Sequence, residues 1–154
     1  MIPETTTRVT RNTPEHVNER IRHDIEANVA HTAAAGPEAI DQRLEALDRE
    51  WDIERMLEAN ASSVMLFGLG LGAFVDRRWF ILPTVVAGFL LQHAIQGWCP
   101  PVPLLRRLGV RTQTEIDYER YALKAVRGDF YRLQAQGDGM GYSSPVSLIK
   151  VVQR

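Results

Sequence analysis

The chain has 154 residues, 18 Lys plus Arg against 19 Asp plus Glu, and a single cysteine. This length fits one ordinary domain or two small helical parts, and one cysteine excludes both an intramolecular disulfide and a zinc site built on a cysteine pair. Residues 1–60 hold thirteen acids against seven bases, and residues 99–154 nine bases against five acids. Ends of opposite sign favour a membrane surface or a second copy of the chain, and fall short of the clustered basic patch of a nucleic-acid binder.

In chain order, residues 1–12 are polar and rich in Thr, without the basic-then-apolar pattern of a cleaved leader. They read as a disordered tail. Thr13 is placed to cap a helix, Pro14 suits its first position, and Gly36-Pro37 ends it. Val17, Ile21, Ile25 and Val29 recur every four residues as one apolar stripe. His16, His23 and His31 lie on the opposite face, about 10–12 Å apart along the axis and too distant to share an ion. Pro37 opens a second helix with Ile40, Leu44, Leu47 and Trp51 on one side and a Glu45–Arg49 pair on the other. Residues 13–58 thus predict a cytoplasmic helical hairpin.

From Ala59 to Val75, and again from Trp79 to Trp98, there is no formal charge. As helices these runs reach about 25 and 30 Å, against a bilayer hydrocarbon core of about 30 Å. Both are apolar on every side, whereas a bundle helix in water shows a polar face. The pattern predicts a transmembrane hairpin over 59–98, with helices at 59–75 and 79–98. The alternative is a buried hairpin in a soluble four-helix bundle, for which Gln92, His93 and Gln96 speak. Arg49, Arg55, Arg106, Arg107 and Arg111 flank the hairpin and only Arg77 and Arg78 lie in its turn, which puts both termini on the cytoplasmic side.

The exit "PPVPLLRRLGVRT" reads as a basic segment that does not continue a helix. A Thr112–Glu115 capping box then opens an amphipathic helix over 113–134, with Ile116, Leu123, Val126, Phe130 and Leu133 in its apolar stripe. Arg120, Lys124 and Arg127 border the stripe and, with Arg106, Arg107 and Arg111, form a basic set suited to an anionic membrane surface. Packing on the N-terminal helices is the competing reading, and Glu119, inside the stripe, favours it. The remaining residues, including Gly137, Gly139 and Gly141, lack the strand and lysine of a phosphate loop and read as a flexible tail.

"EWDIERMLEANAS", the apolar hairpin and "LLQHAIQGWCPPVPLLRRLGVRTQTEIDYERYALKAVRGDF" resemble the YgaP-like inner-membrane domain family of bacteria, over about residues 50–131. The Gly-Trp-Cys-Pro stretch and the Leu-Leu-Arg-Arg-Leu-Gly segment carry most of the likeness. The resemblance implies a self-associating paired-helix membrane domain with no settled biochemical role. Some relatives attach a rhodanese domain; here Cys99 is followed by "PPVPLLRR" rather than an anion-binding loop, so sulfurtransferase activity does not carry over.

Four sets of residues are candidates for function. Gly68, Gly70, Gly72 and Gly88 are small residues where helices can approach closely, within the chain or between copies. Gln92, His93 and Gln96, with the tryptophan anchors Trp79 and Trp98, belong at the membrane–water boundary. Cys99 is the one candidate reactive thiol, although a helix C-terminus disfavours thiolate. The basic set is the fourth. The expectation is an all-α, non-enzymatic protein of the bacterial inner membrane. It acts as a self-associating scaffold or interaction module, with the lipid bilayer, further copies and an unidentified protein as partners. No cofactor, metal or nucleic acid is expected. The alternative is a membrane redox or sulfur-handling accessory that uses Cys99.

Overall fold

The computed structural model describes residues 4–130. Among them every regular element is helical: α1 Arg8–Arg11, α2 Glu15–Ala35, α3 Pro37–Arg49, α4 Ile53–Phe74, a 3-10 turn Arg77–Phe80, α5 Ile81–Gln96, α6 Pro101–Arg107 and α7 Gln113–Arg127. The described residues divide into two compact units, one of residues 4–24 and 50–116, the other of 25–49 and 117–130.

The first unit is built on the antiparallel pair α4 and α5. Asp52 caps α4, its carboxylate accepting the Arg55 N–H at 3.1 Å. Asp76 does the same for the intervening turn through the Arg78 N–H at 2.8 Å. Pro83 sits in the first turn of α5, where no intrahelical N–H bond is lost. Gly97, with φ +76°, closes α5 in the left-handed conformation that favours glycine. The stretches containing α4 and α5 are each long and apolar enough to cross a membrane.

Three expectations about this unit are corrected. The N-terminal segment is not a disordered tail throughout: Arg8–Arg11 is helical, and Val9 is buried in a cluster with Ile53, Leu57, Cys99, Val102 and Leu105. The proline-rich exit is also helical, because Pro101 and Pro103 fall in the first turn of α6, where the missing N–H groups would have had no partner. Thr13 does not cap α2. Its hydroxyl donates to the Val9 carbonyl at 2.9 Å.

In the second unit, α3 buries Ile40, Leu44 and Leu47 and is crossed by the C-terminal part of α7. Glu119 is fully buried and accepts both Nε and an Nη of Arg43, at 2.7 and 3.1 Å. Arg120 donates to the Leu47 carbonyl and to Asp48, and Arg127 pairs with Asp41. The stripe of α7 is therefore partly a protein contact, for the reason Glu119 signalled: a carboxylate inside an apolar stripe needs a partner cation. Helix α7 ends at Arg127, followed by Gly128 at φ +87°, instead of running to 134. Leu133 and the glycine-rich tail lie outside the described residues. Trp51, expected on the α3 stripe, follows the end of that helix, and its ring stacks under the Arg55 guanidinium at 4.4 Å.

Candidate functional site at the base of the apolar hairpin

Helices α4 and α5 touch through glycine. A Cβ on Gly68 would stand 2.7 Å from Pro83 Cδ and 3.2 Å from Leu82, and one on Gly72 would meet the Phe80 ring at 2.7 Å. Both glycines are buried, and the face they form is occupied by the 3-10 turn and the start of α5 of the same chain. Gly70 and Gly88 have open space where a side chain would go, so they take no part in this contact. Away from it the hairpin presents large apolar side chains outward, among them Leu66, Phe67, Phe74, Ile81 and Leu91. Trp79 is exposed beside the turn and Trp98 is half-buried at the far end.

At that far end, the base, sits a group of charged and polar side chains that sequence reasoning did not assemble. His93, buried on α5, places Nε2 2.8 Å from Glu54 Oε2 on the first turn of α4. Facing a carboxylate, that nitrogen carries the proton. The other Glu54 oxygen accepts Arg8 Nη2 at 2.9 Å. The His93 bond comes first among the influences that hold the Glu54 carboxyl below its ordinary value; the charges of His93 and Arg8 add to it, and burial opposes it. Asn12 ties α1 to the end of α5, its Nδ2 donating to the carbonyls of Arg8 and Gln96, each at 2.8 Å. Gly97 has no Cβ because the Arg8 carbonyl occupies that place, 2.5 Å from where the atom would be. Gln92 and Gln96 stand one turn apart with their amides 3.5 Å from each other. The facing pairs Gly68–Pro83 and Gly72–Phe80 set residues near 58 opposite His93, so the hairpin pattern alone points one turn away from Glu54.

Cys99 does not join His93. Its side chain packs in the apolar cluster with Val9, Ile53 and Leu57, and burial pushes its thiol above the ordinary value. A thiol so placed is a poor nucleophile at neutral pH. It also lines an apolar groove of about 230 Å³ between α4, α5 and the start of α6.

The basic set divides. Arg106 is fully buried and bound on every side: Glu115 at 2.6 and 2.7 Å, Asn18 Oδ1 and the Val110 carbonyl at 3.0 Å, and Thr13 Oγ1 at 3.2 Å. Arg111 is buried too and pairs with Glu50. The expectation that these two face a membrane surface is thus corrected: buried cations are retained only where paired, and both find carboxylates. Burial alone would raise the Glu115 carboxyl, but the bonds from Arg106 and from the Thr112 backbone hold it lower than usual. Arg120 and Arg127 are engaged with acids as described. Arg107 is exposed and Lys124 half-buried.

Among the described residues no three His, Cys, Asp or Glu side chains converge to hold a metal ion. What the base can do chemically is hold charge and fix helix ends in place. Set beside models of protein families, curated proteins and solved structures, the chain finds no match in any of the three.

Proposed function

We propose that this chain is an integral protein of the bacterial inner membrane, anchored by the α4–α5 hairpin with both termini cytoplasmic. In this reading it acts as a self-associating scaffold or interaction module and not as an enzyme. The observation that carries the reading is the exposure of the two apolar helices. Only 17% and 11% of their apolar stretches are buried, where the core helix of a soluble protein would be mostly covered. A contiguous apolar surface beyond a few hundred Å² marks an interaction with membrane or protein. Orientation rests on the five arginines that flank the hairpin against two in its turn. The YgaP-like resemblance agrees with this placement.

Fractionation tests it directly. The chain should stay in the membrane pellet through an alkaline carbonate wash and require detergent for release. Recovery in the soluble fraction without detergent would end the membrane reading in favour of a soluble bundle. Self-association has its own test, because Gly68 and Gly72 are already taken within the hairpin. Copies must meet over other faces, where Gly70 and Gly88 lie open. Gly70→Leu with Gly88→Leu should weaken a membrane two-hybrid signal, and an unchanged signal would remove these glycines from the interface.

A further inference from the structure

The groove at the base of the hairpin has the character of a hydrocarbon site. Leu57, Ala61 and Val64 form its α4 wall, Val86 and Phe89 its α5 wall, and Pro100 belongs to the segment that closes its end. It contains no ionisable carboxylate, amine or guanidinium; Asn60 is its amide, and that Nδ2 is spent on the Met56 carbonyl at 2.8 Å. The Cys99 thiol, kept protonated by burial, adds a further apolar surface. Apolar cavities even smaller, of about 150 Å³, stay dry and accept hydrocarbon. At about 230 Å³ the groove lies below the roughly 300–1,000 Å³ of sites for compact drug-sized ligands. That volume is also too small to enclose a helix of a second copy, which is about 10 Å across.

From this geometry we infer that the groove holds one acyl chain of a membrane phospholipid. The inference rests on the membrane reading above. Val64 and Phe89, which line the groove, also belong to the outward apolar surface that continues along α4 and α5 through Leu66, Phe67 and Leu91. Whatever solvates that surface reaches the groove without crossing a polar barrier. A bilayer offers it chains, and each methylene buried there adds to retention. The floor is fixed from beneath, because Leu57 and Cys99 are packed against Val9 of α1. The site is therefore rigid on its inner side and open toward the chains, the arrangement that retains a lipid longer than a smooth helix face would.

The test uses the full chain in phosphatidylcholine vesicles containing a trace of the same lipid with a diazirine in one acyl chain. After illumination, adducts should concentrate on the peptide holding Cys99, Pro100 and Pro101. Ala61→Phe or Val86→Phe, which fill the groove from either wall, should cut that yield about tenfold, the loss that two excluded methylenes produce. Ala87→Phe, on the exposed surface of α5, should leave it unchanged. Circular dichroism identifies whichever filling variant keeps its helices, and that variant decides. Even labelling along α4 and α5, indifferent to the filling variants, would overturn the site, as would chain-to-chain Cys99 cross-links that displace the lipid adduct. Failure of the membrane reading looks different: no adduct anywhere, and protein left in solution when the vesicles are pelleted.

Discussion

The α4–α5 hairpin and the α6–α7 corner below it solve the problem of packing helices in opposite ways. The hairpin buries almost nothing, and its two helices meet where Gly68 and Gly72 let Pro83 and Phe80 come against the backbone. The corner buries a whole arginine. Arg106 is enclosed and satisfied by Glu115, Asn18, Thr13 and the Val110 carbonyl. If hydrocarbon surrounds the hairpin, burying more apolar area there brings no gain, and close backbone approach is what is left to hold it. If water surrounds the corner, burial there is favourable but unspecific, and the paired charge dictates one arrangement.

The largest expected effect breaks the corner. Arg106→Met leaves the half-buried Glu115 without its cation and strands Asn18 and the Val110 carbonyl, and should lower stability by about 3 kcal/mol in chemical denaturation. Adding Glu115→Leu should recover most of that loss, leaving about 1 kcal/mol for the helix cap that Glu115 also forms. A double variant as unstable as the single would refute the ion-pair account. The hairpin should respond to size instead of charge. Gly68→Leu must displace Pro83 and Leu82 and should cost about 1–3 kcal/mol in thermal unfolding in detergent, while Gly70→Leu, facing open space, should not. Equal effects at the two glycines would erase the contrast between faces. Gly97→Ala probes the junction between the regions. It forces an L residue to positive φ, at about 1–2 kcal/mol, and sets a methyl group against the Arg8 carbonyl. Limited proteolysis should then cut near α1 sooner than in the parent chain.

The smallest effect is one of pH. Glu54 has a folded pKa below its ordinary value of 4.5. Its contribution is therefore complete above that value and lost as pH falls through the lower, folded one. Because the side chain is about one-third exposed, at 34%, the contribution is under about 1 kcal/mol. Glu54→Gln should lower stability at neutral pH by that amount and leave the acid end unchanged, which flattens the acid limb between them. An acid limb that keeps its full slope would assign it to other carboxylates, Glu115 first.

The parts legible in the sequence are those governed by local chemistry. An absence of charge over two long runs marked α4 and α5, and Thr112-x-x-Glu115 announced a cap that the structure forms as written. The Thr112 N–H donates to Glu115 at 2.8 Å, and the Glu115 N–H donates to Thr112 Oγ1 at 3.3 Å. What stayed hidden depended on residues distant in the chain. Val9 is one apolar residue in a Thr-rich segment, and nothing around it signals that Ile53 and Val102 await it. "LLRR" reads as a surface patch, yet Arg106 is enclosed while its neighbour Arg107 is exposed. His93 reads as a boundary residue, but Glu54, which its ring bonds, and Arg8, which shares that carboxylate, lie 39 and 85 residues away. The prolines of α6 misled because they were weighed as helix breakers when their place in a first turn made them helix starters.

The fit of Gly97 against the Arg8 carbonyl also dictates an order of assembly. The earliest helix of the chain completes its seat on residues made almost ninety positions later, after the whole apolar hairpin has left the ribosome. Until then Arg8 has only Glu54 and Val9 only Ile53 and Leu57 to hold, while Asn12 still lacks the Gln96 carbonyl. Closing a loop of that length comes late because its entropy must be met before any contact rewards it. Full docking of α1 is thus a mark of completion: a chain interrupted before Gly97 leaves its first helix only partly seated.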